Sequence, residues 1–167
     1  MEINQVIKPF KKILVANRGE IAIRIFRAAS ELNLRTVAVY TFEDRYSQHR
    51  YKADEAYQIG ADQDPLKPYL NIEEIIQLAK EKRVDAIHPG YGFLSENVQF
   101  AKRCAEEGIV FVGPSAKVME RLGDKVAAKQ LAREVEVPII EDIMIEGSDF
   151  KGALAQANRI GFPLIIK

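Results

Sequence analysis

The sequence predicts an α/β fold built on a doubly wound parallel sheet. Short β-rich runs alternate with segments of helical period along most of the chain. The joints between them are short, about two to six residues, as in αβ and βα connections. The first strand–helix–strand order also implies a parallel pair joined by a right-handed crossover.

Lys12 to Ala16 is the first β-rich run, and a helix follows from about Glu20 to Leu32. Ile21, Ile25, Ala28, Ala29 and Leu32 keep helical period there, while Ile23 and Phe26 widen the apolar surface. Thr36 to Tyr40 returns to strand character, rich in β-branched and aromatic residues. Glu43 to Lys52 is polar and reads as a loop with a short helix, and Ala56 to Ile59 as another short strand. Asn71 opens a helix with Glu74 three residues on, a capping-box spacing, and Ile72, Ile75, Ile76 and Ala79 form its apolar face. Asp85 to His88 is a strand, Ser95 caps a helix that ends near Gly108, and Ile109 to Val112 is a strand again.

Ser115 to Leu122 is a further short helix, which Gly123 is expected to close as a left-handed C-cap. A domain boundary is placed here, giving a first domain over residues 1–122 and the start of a second over 123–167. The second begins with a helix from Lys125 to about Glu134 and an extended run from Val137 to Ile145. A helix capped by Ser148 and ended by Gly161 follows, then a strand from Pro163 to Lys167. Domains seldom stop inside a strand, so the sequence reads as a piece of a longer protein.

Composition narrows the partners. Twenty-four Lys and Arg balance twenty-four Asp and Glu in 167 residues, so no global field favours nucleic acid or an anionic membrane. No window has the unbroken apolar length of a membrane span, and Met1 to Lys12 lacks the apolar core of a signal peptide. The single cysteine, Cys104, cannot form an internal disulfide, and a reducing, cytoplasmic setting is expected. It shares an apolar helical stripe with Phe100 and Ala101 and reads as a small core residue.

Four groups of residues could carry chemistry. Residues 88–97 read His-Pro-Gly-Tyr-Gly-Phe-Leu-Ser-Glu-Asn, an apolar strand stopped by Pro89 with Gly90 and Gly92 bracketing Tyr91. Such a loop at a strand's carboxyl end is either a ligand-facing loop or a tight strand-to-helix connection. His88 is a base or, more in keeping with its place, a hydrogen-bonded structural residue. Asn17-Arg18-Gly19-Glu20, between the first strand and first helix, invites a dinucleotide reading with Glu43 or Asp44 as the ribose-binding acid. The loop holds one glycine where that fingerprint has three, and Glu20 sets negative charge where a phosphate would lie. Glu20, Arg24, Arg27 and Glu31 form a polar stripe on an otherwise apolar helix, either solvated or facing a partner. Lys125 and Lys167 are solvated lysines or phosphate ligands. His49, in a polar segment, is expected at the surface, and no zinc-type spacing or Ser–His–Asp set stands out.

The string His88–Asn97 resembles a signature of biotin carboxylase domains, the ATP-using modules of biotin-dependent carboxylases. Three further segments resemble the same family in the same order: Lys12–Ala22 (Lys-Ile-Leu-Val-Ala-Asn-Arg-Gly-Glu-Ile-Ala), Gly123-Asp124-Lys125, and Gly161–Lys167 (Gly-Phe-Pro-Leu-Ile-Ile-Lys). Within the family, Ile25–Ala28 and His49–Tyr57 are most similar to the members that carboxylate pyruvate. The resemblance implies a Rossmann-like, pre-ATP-grasp first domain followed by the truncated start of an ATP-grasp domain. It implies ATP with Mg2+, bicarbonate, biotin and a biotin carrier domain as cofactors and partners, in a homo-oligomer. It assigns Lys125 and Lys167 to ATP phosphates, His88, Gly90, Tyr91 and Gly92 to a biotin-facing loop, and Arg24, Arg27 and Glu31 to a dimer interface. It supplies no catalytic residue or metal ligand here, because the metal-binding acids and the bicarbonate- and biotin-binding arginines have no matching segment. An acyl-CoA acceptor, a dimerisation module and a dinucleotide-dependent oxidoreductase remain as rival readings.

Overall fold

Ile13, Leu14 and Val15 are all buried, and that burial on both faces makes Lys12–Val15 (β1) a central strand of a parallel sheet. The computed structural model describes residues 9–61, 64–123, 125–140 and 150–164, with the backbone alone of Lys125 and Phe150. The sheet continues with Arg35–Tyr40 (β2), Glu55–Gln58 (β3), Ala86–His88 (β4) and Val110–Phe111 (β5). Its order is β3-β2-β1-β4-β5 and every pairing is parallel. Helix Gly19–Glu31 (α1) covers one face, where Phe26 and Ala22 meet Val15 and Ala38. Helices Ile72–Glu81 (α3) and Val98–Glu106 (α4) cover the other, where Ile75, Ile76, Phe100 and Cys104 meet Leu14, Val37, Val39 and Ile87. A short helix, Gln48–Lys52 (α2), precedes β3. The doubly wound parallel fold is therefore as the sequence predicts.

Several local expectations are corrected. The buried positions of α1 are Ala22, Phe26 and Ala29, whereas Ala28 and Leu32 are exposed. Two stripes one residue apart both keep helical period, and the bulk of Phe26 decides which faces the sheet. Asn97, not Ser95, caps α4 by accepting from the Phe100 N–H at 2.9 Å. Ser95 is spent in the preceding turn, its N–H bonded to Gly92 O. Asn71 caps α3 through the Glu74 N–H, but the Glu74 carboxylate accepts from Gly60 N at 2.6 Å instead of closing a reciprocal box. Three helices in this part of the chain end in a left-handed residue followed by an aliphatic one: Asn33 then Leu34, Arg83 then Val84, and Gly108 then Ile109.

Backbone packing divides the chain into two compact units after Gly123. Gly123 itself is the last residue of helix Ala116–Gly123 (α5) and does not take the left-handed conformation expected of it. The second unit contains Lys125–Glu134 (α6) and Phe150–Ile160 (α7), the latter ended by Gly161 at φ +96°. Residues 137–140 and Pro163–Leu164 form no strand; the rest of both expected extended runs, the Ser148 cap and Lys167 lie outside the described residues. No helix among the described residues is long and apolar enough to cross a membrane.

Candidate functional site

The strand order reverses between β1 and β4, the place where open α/β sheets put their ligands. Ala16, just past β1, donates its N–H to His88 O at 2.9 Å, so the two strand ends are held side by side. Asn17 comes next and is only 3% exposed. Its Nδ2 donates to Pro89 O at 2.7 Å and to Tyr91 O at 2.9 Å, and its Oδ1 accepts from Arg18 N at 2.8 Å. Both amide hydrogens and the carbonyl are thereby used. Gly90, at φ +70°, is where the loop passes closest: a Cβ there would stand 2.7 Å from Asn17 Nδ2 and 2.8 Å from Ile21 Cγ2. The glycine of the strand-end turn thus makes room for an asparagine of the same chain.

The side chains of the loop divide into held and offered ones. His88 is half-buried, its Nδ1 accepts from Gly90 N at 3.0 Å, and burial lowers its pKa. Nδ1, as acceptor of the Gly90 N–H, carries no proton in this arrangement, and His88 is bonded as a structural residue. Tyr91 is 70% exposed, and Gly92, also at φ +70°, has nothing within 4 Å of where a Cβ would be. Phe93, at φ +43°, stacks on Tyr69 with ring centroids 5.2 Å apart and planes 24° apart. A bulky residue in this conformation is strained and persists because its surroundings fix it.

Tyr69 connects the loop to an ion pair whose carboxylate is buried. Arg18 holds both oxygens of Asp44 through Nε and Nη2, Tyr69 Oη donates to Oδ2 at 2.7 Å, and Ser47 Oγ donates to Oδ1 at 2.9 Å. Burial alone would raise the Asp44 carboxyl, but the hydrogen bonds from Arg18, Tyr69 and Ser47 outweigh it and hold the pKa at about 2. Burial, and then the bond to Asp44, push the Tyr69 hydroxyl up. Asp44 is thus committed within the protein and has no free oxygen for a ribose, which leaves exposed Glu43 as the acid of the dinucleotide reading. His49, expected at the surface, is fully buried: its Nε2 lies 3.1 Å from Val39 O, Nδ1 has no partner among the described residues, and burial lowers its pKa.

Arg24, Arg27 and Glu31 lie on the exposed side of α1. Arg24 and Arg27, with Gly19, Glu20 and Gln48, line a groove of about 490 Å³ between α1 and α2, which Glu31 does not reach. The Glu20–Arg24 pair spans 3.9 Å between two largely exposed side chains and contributes little. Lys125 is the first residue of α6, and its side chain is outside what the structure describes. Cys104 is buried, and burial pushes its thiol to about 12, as befits a core residue. Among the described residues no group of three or more His, Cys, Asp and Glu is placed to hold a metal ion.

Sequence reasoning missed Asn17 as a bridge, Asp44 as a buried anchor, and Tyr69 altogether. An asparagine directly after an apolar strand, with a Pro-Gly turn ending another, is the signal that could have found the first.

A parallel sheet in this order, with a glycine-rich loop at its reversal point, defines an open, doubly wound α/β domain. The chain belongs to the biotin carboxylase N-terminal domain family, whose model matches residues 9–119. It is 57% identical over 160 residues to a pyruvate carboxylase of Staphylococcus aureus, an alignment covering 96% of this chain and 14% of that protein. The solved pyruvate carboxylase of Rhizobium etli matches with a TM-score of 0.77 and 51% identity, over 81% of this chain and 13% of that one. The biotin carboxylase domain dimer of the Hydrogenobacter thermophilus 2-oxoglutarate carboxylase, in complex with MgADP, ADP and bicarbonate, matches with a TM-score of 0.84 and 47% identity. That match covers 93% of this chain and 34% of that one. The chain thus spans about 14% of the length of the curated relatives it matches.

Proposed function

We propose that this chain is the opening part of a biotin carboxylase module within a pyruvate carboxylase, residues 1–122 forming its first domain and 123–167 the start of its ATP-grasp domain. The supporting observation is the 57% identity to a pyruvate carboxylase over 96% of the chain, which includes the loop at the sheet's reversal point. The reaction is ATP- and bicarbonate-dependent carboxylation of biotin, through carboxyphosphate, followed by transfer to pyruvate to give oxaloacetate. Biotin on a carrier domain is the carrier of the carboxyl group. Such phosphoryl transfer depends mainly on positioning and charge neutralisation.

Within that reaction the Gly90–Gly92 turn offers Tyr91 and an open backbone to biotin, and the exposure of Tyr91 and the space beside Gly92 fit that role. His88 and Gly90 shape the turn. Lys125 and Lys167 serve the nucleotide phosphates, and Mg2+ accompanies the ATP. Arg24, Arg27 and Glu31 face a second copy of the module, a reading supported by their exposure and by the dimer described for the 2-oxoglutarate carboxylase domain. The lone, buried cysteine fits a reducing cytoplasmic setting.

The full-length protein should release ADP on addition of MgATP, bicarbonate and free biotin, and the isolated chain should not. Biotin-dependent ADP release by the pure isolated chain would overturn this division of labour. The match to the biotin carboxylase domain of a 2-oxoglutarate carboxylase makes 2-oxoglutarate the second acceptor to test. Incorporation of labelled bicarbonate with pyruvate against 2-oxoglutarate decides between them. Sedimentation with and without Arg27→Glu tests the dimer surface, since charge reversal weakens self-association only where that surface pairs.

A further inference from the structure

We propose that Asn17 is the positioning residue for the Tyr91–Phe93 loop, its amide fixing the face that Tyr91 and Gly92 offer to biotin. The inference rests on the biotin-facing reading of that loop. The two carbonyls that Asn17 Nδ2 holds, those of Pro89 and Tyr91, bracket Gly90, so both sides of the turn are tied to the end of β1. Tyr91 is otherwise exposed, nothing stands within 4 Å of where a Cβ on Gly92 would be, and Gly92 O accepts from Ser95 N at 2.9 Å. The next anchor is Phe93, stacked on Tyr69. Asn17 itself is immobilised: it is buried, its Oδ1 is occupied by Arg18 N, and Arg18 is clamped to Asp44. A carboxylate in its place would present an oxygen to two carbonyl oxygens and turn both attractions into repulsions. An alanine would leave the buried carbonyl of Pro89 and the part-buried one of Tyr91 without their donor. Either change frees two glycines with left-handed backbones, and the cost of ordering them falls on the biotin-binding step.

The test uses the full-length protein with Asn17→Ala and the milder Asn17→Ser, which keeps a polar side chain too short to span both carbonyls. Two activities are measured: KM and kcat for free biotin, and bicarbonate-dependent ATP cleavage without biotin. Hydrogen exchange at residues 90–93 is followed alongside. The expected result is a rise in the biotin KM on the order of tenfold, the scale of the two hydrogen bonds lost. ATP cleavage without biotin should stay within about twofold of the unsubstituted protein, and faster exchange should be confined to the loop. An unchanged biotin KM, or an equal fall of both activities with exchange faster throughout the domain, overturns the proposal. If the unsubstituted protein shows no biotin-dependent turnover, the functional reading fails. Exchange at residues 90–93 then still decides whether Asn17 positions the loop.

Discussion

A methyl group on Gly90 would stand 2.7 Å from the side-chain nitrogen of Asn17, so the two residues are fitted to one another across the reversal point of the sheet. Gly92, two residues on, has the same φ of +70°, and a methyl group there would meet nothing within 4 Å. The pair separates conformational strain from collision.

Gly92→Ala should destabilise the domain by about 1–2 kcal/mol, the cost of a left-handed alanine. Gly90→Ala carries the same strain and must also displace the Asn17 amide or Ile21, so its loss should be larger, about 2–4 kcal/mol. Urea denaturation of the two variants checks the order. Equal losses would mean that the Asn17 contact is unimportant to the fold.

The Asp44 carboxyl sets one pH dependence. Its pKa is about 2 in the folded protein against 3.8 ordinarily, so the stability it contributes is full above 3.8 and is lost as pH falls through about 2. Between pH 5 and pH 2 the unsubstituted protein should therefore lose about 2 kcal/mol more than Asp44→Asn, the other carboxylates being common to both. Denaturant midpoints at the two pH values measure the difference.

His49 sets another. Burial lowers its folded pKa below the ordinary 6.5, so the unfolded chain takes up the proton first and stability falls as pH drops below 6.5. His88 is lowered in the same direction by burial. His49→Asn should lose less stability between pH 7 and pH 5 than the unsubstituted protein, the remaining loss including that from His88. Parallel titration of the two proteins by thermal midpoint would show that His49 does not contribute.

How much of this was legible depends on the range of the interaction. The strands of β1 and β2 were readable because a parallel sheet buries both faces, leaving apolar runs such as Ile13–Val15 and Val37–Val39. The α3 cap was readable because Asn71 and its bonded N–H are three residues apart. Arg18 and Asp44 are 26 residues apart, and Asn17 lies 72 from the carbonyl of Pro89. No local pattern encodes such pairings. His49 sits among polar residues yet is buried against the backbone of Val39, for the same reason. At α4 two residues of good capping chemistry stood two apart. The turn after Pro89 took Ser95 and left Asn97 to cap the helix.

The helix ends offer a stabilising change. Arg83 takes φ +53° to close α3, exposed and with the Val84 N–H bonded to Ala79 O at 2.8 Å. Glycine adopts that conformation without the Cβ penalty, so Arg83→Gly should raise stability by about 0.5–1 kcal/mol. Thermal unfolding checks the sign.

The reading of the 88–93 loop as the biotin-facing edge of a carboxylase is tested most directly by Tyr91→Ala in the full-length protein, because Tyr91 is exposed and its removal leaves the core untouched. The measurement is KM for free biotin beside bicarbonate-dependent ATP cleavage without it. A raised biotin KM with unchanged ATP cleavage is the predicted result; an unaltered biotin KM would contradict the account.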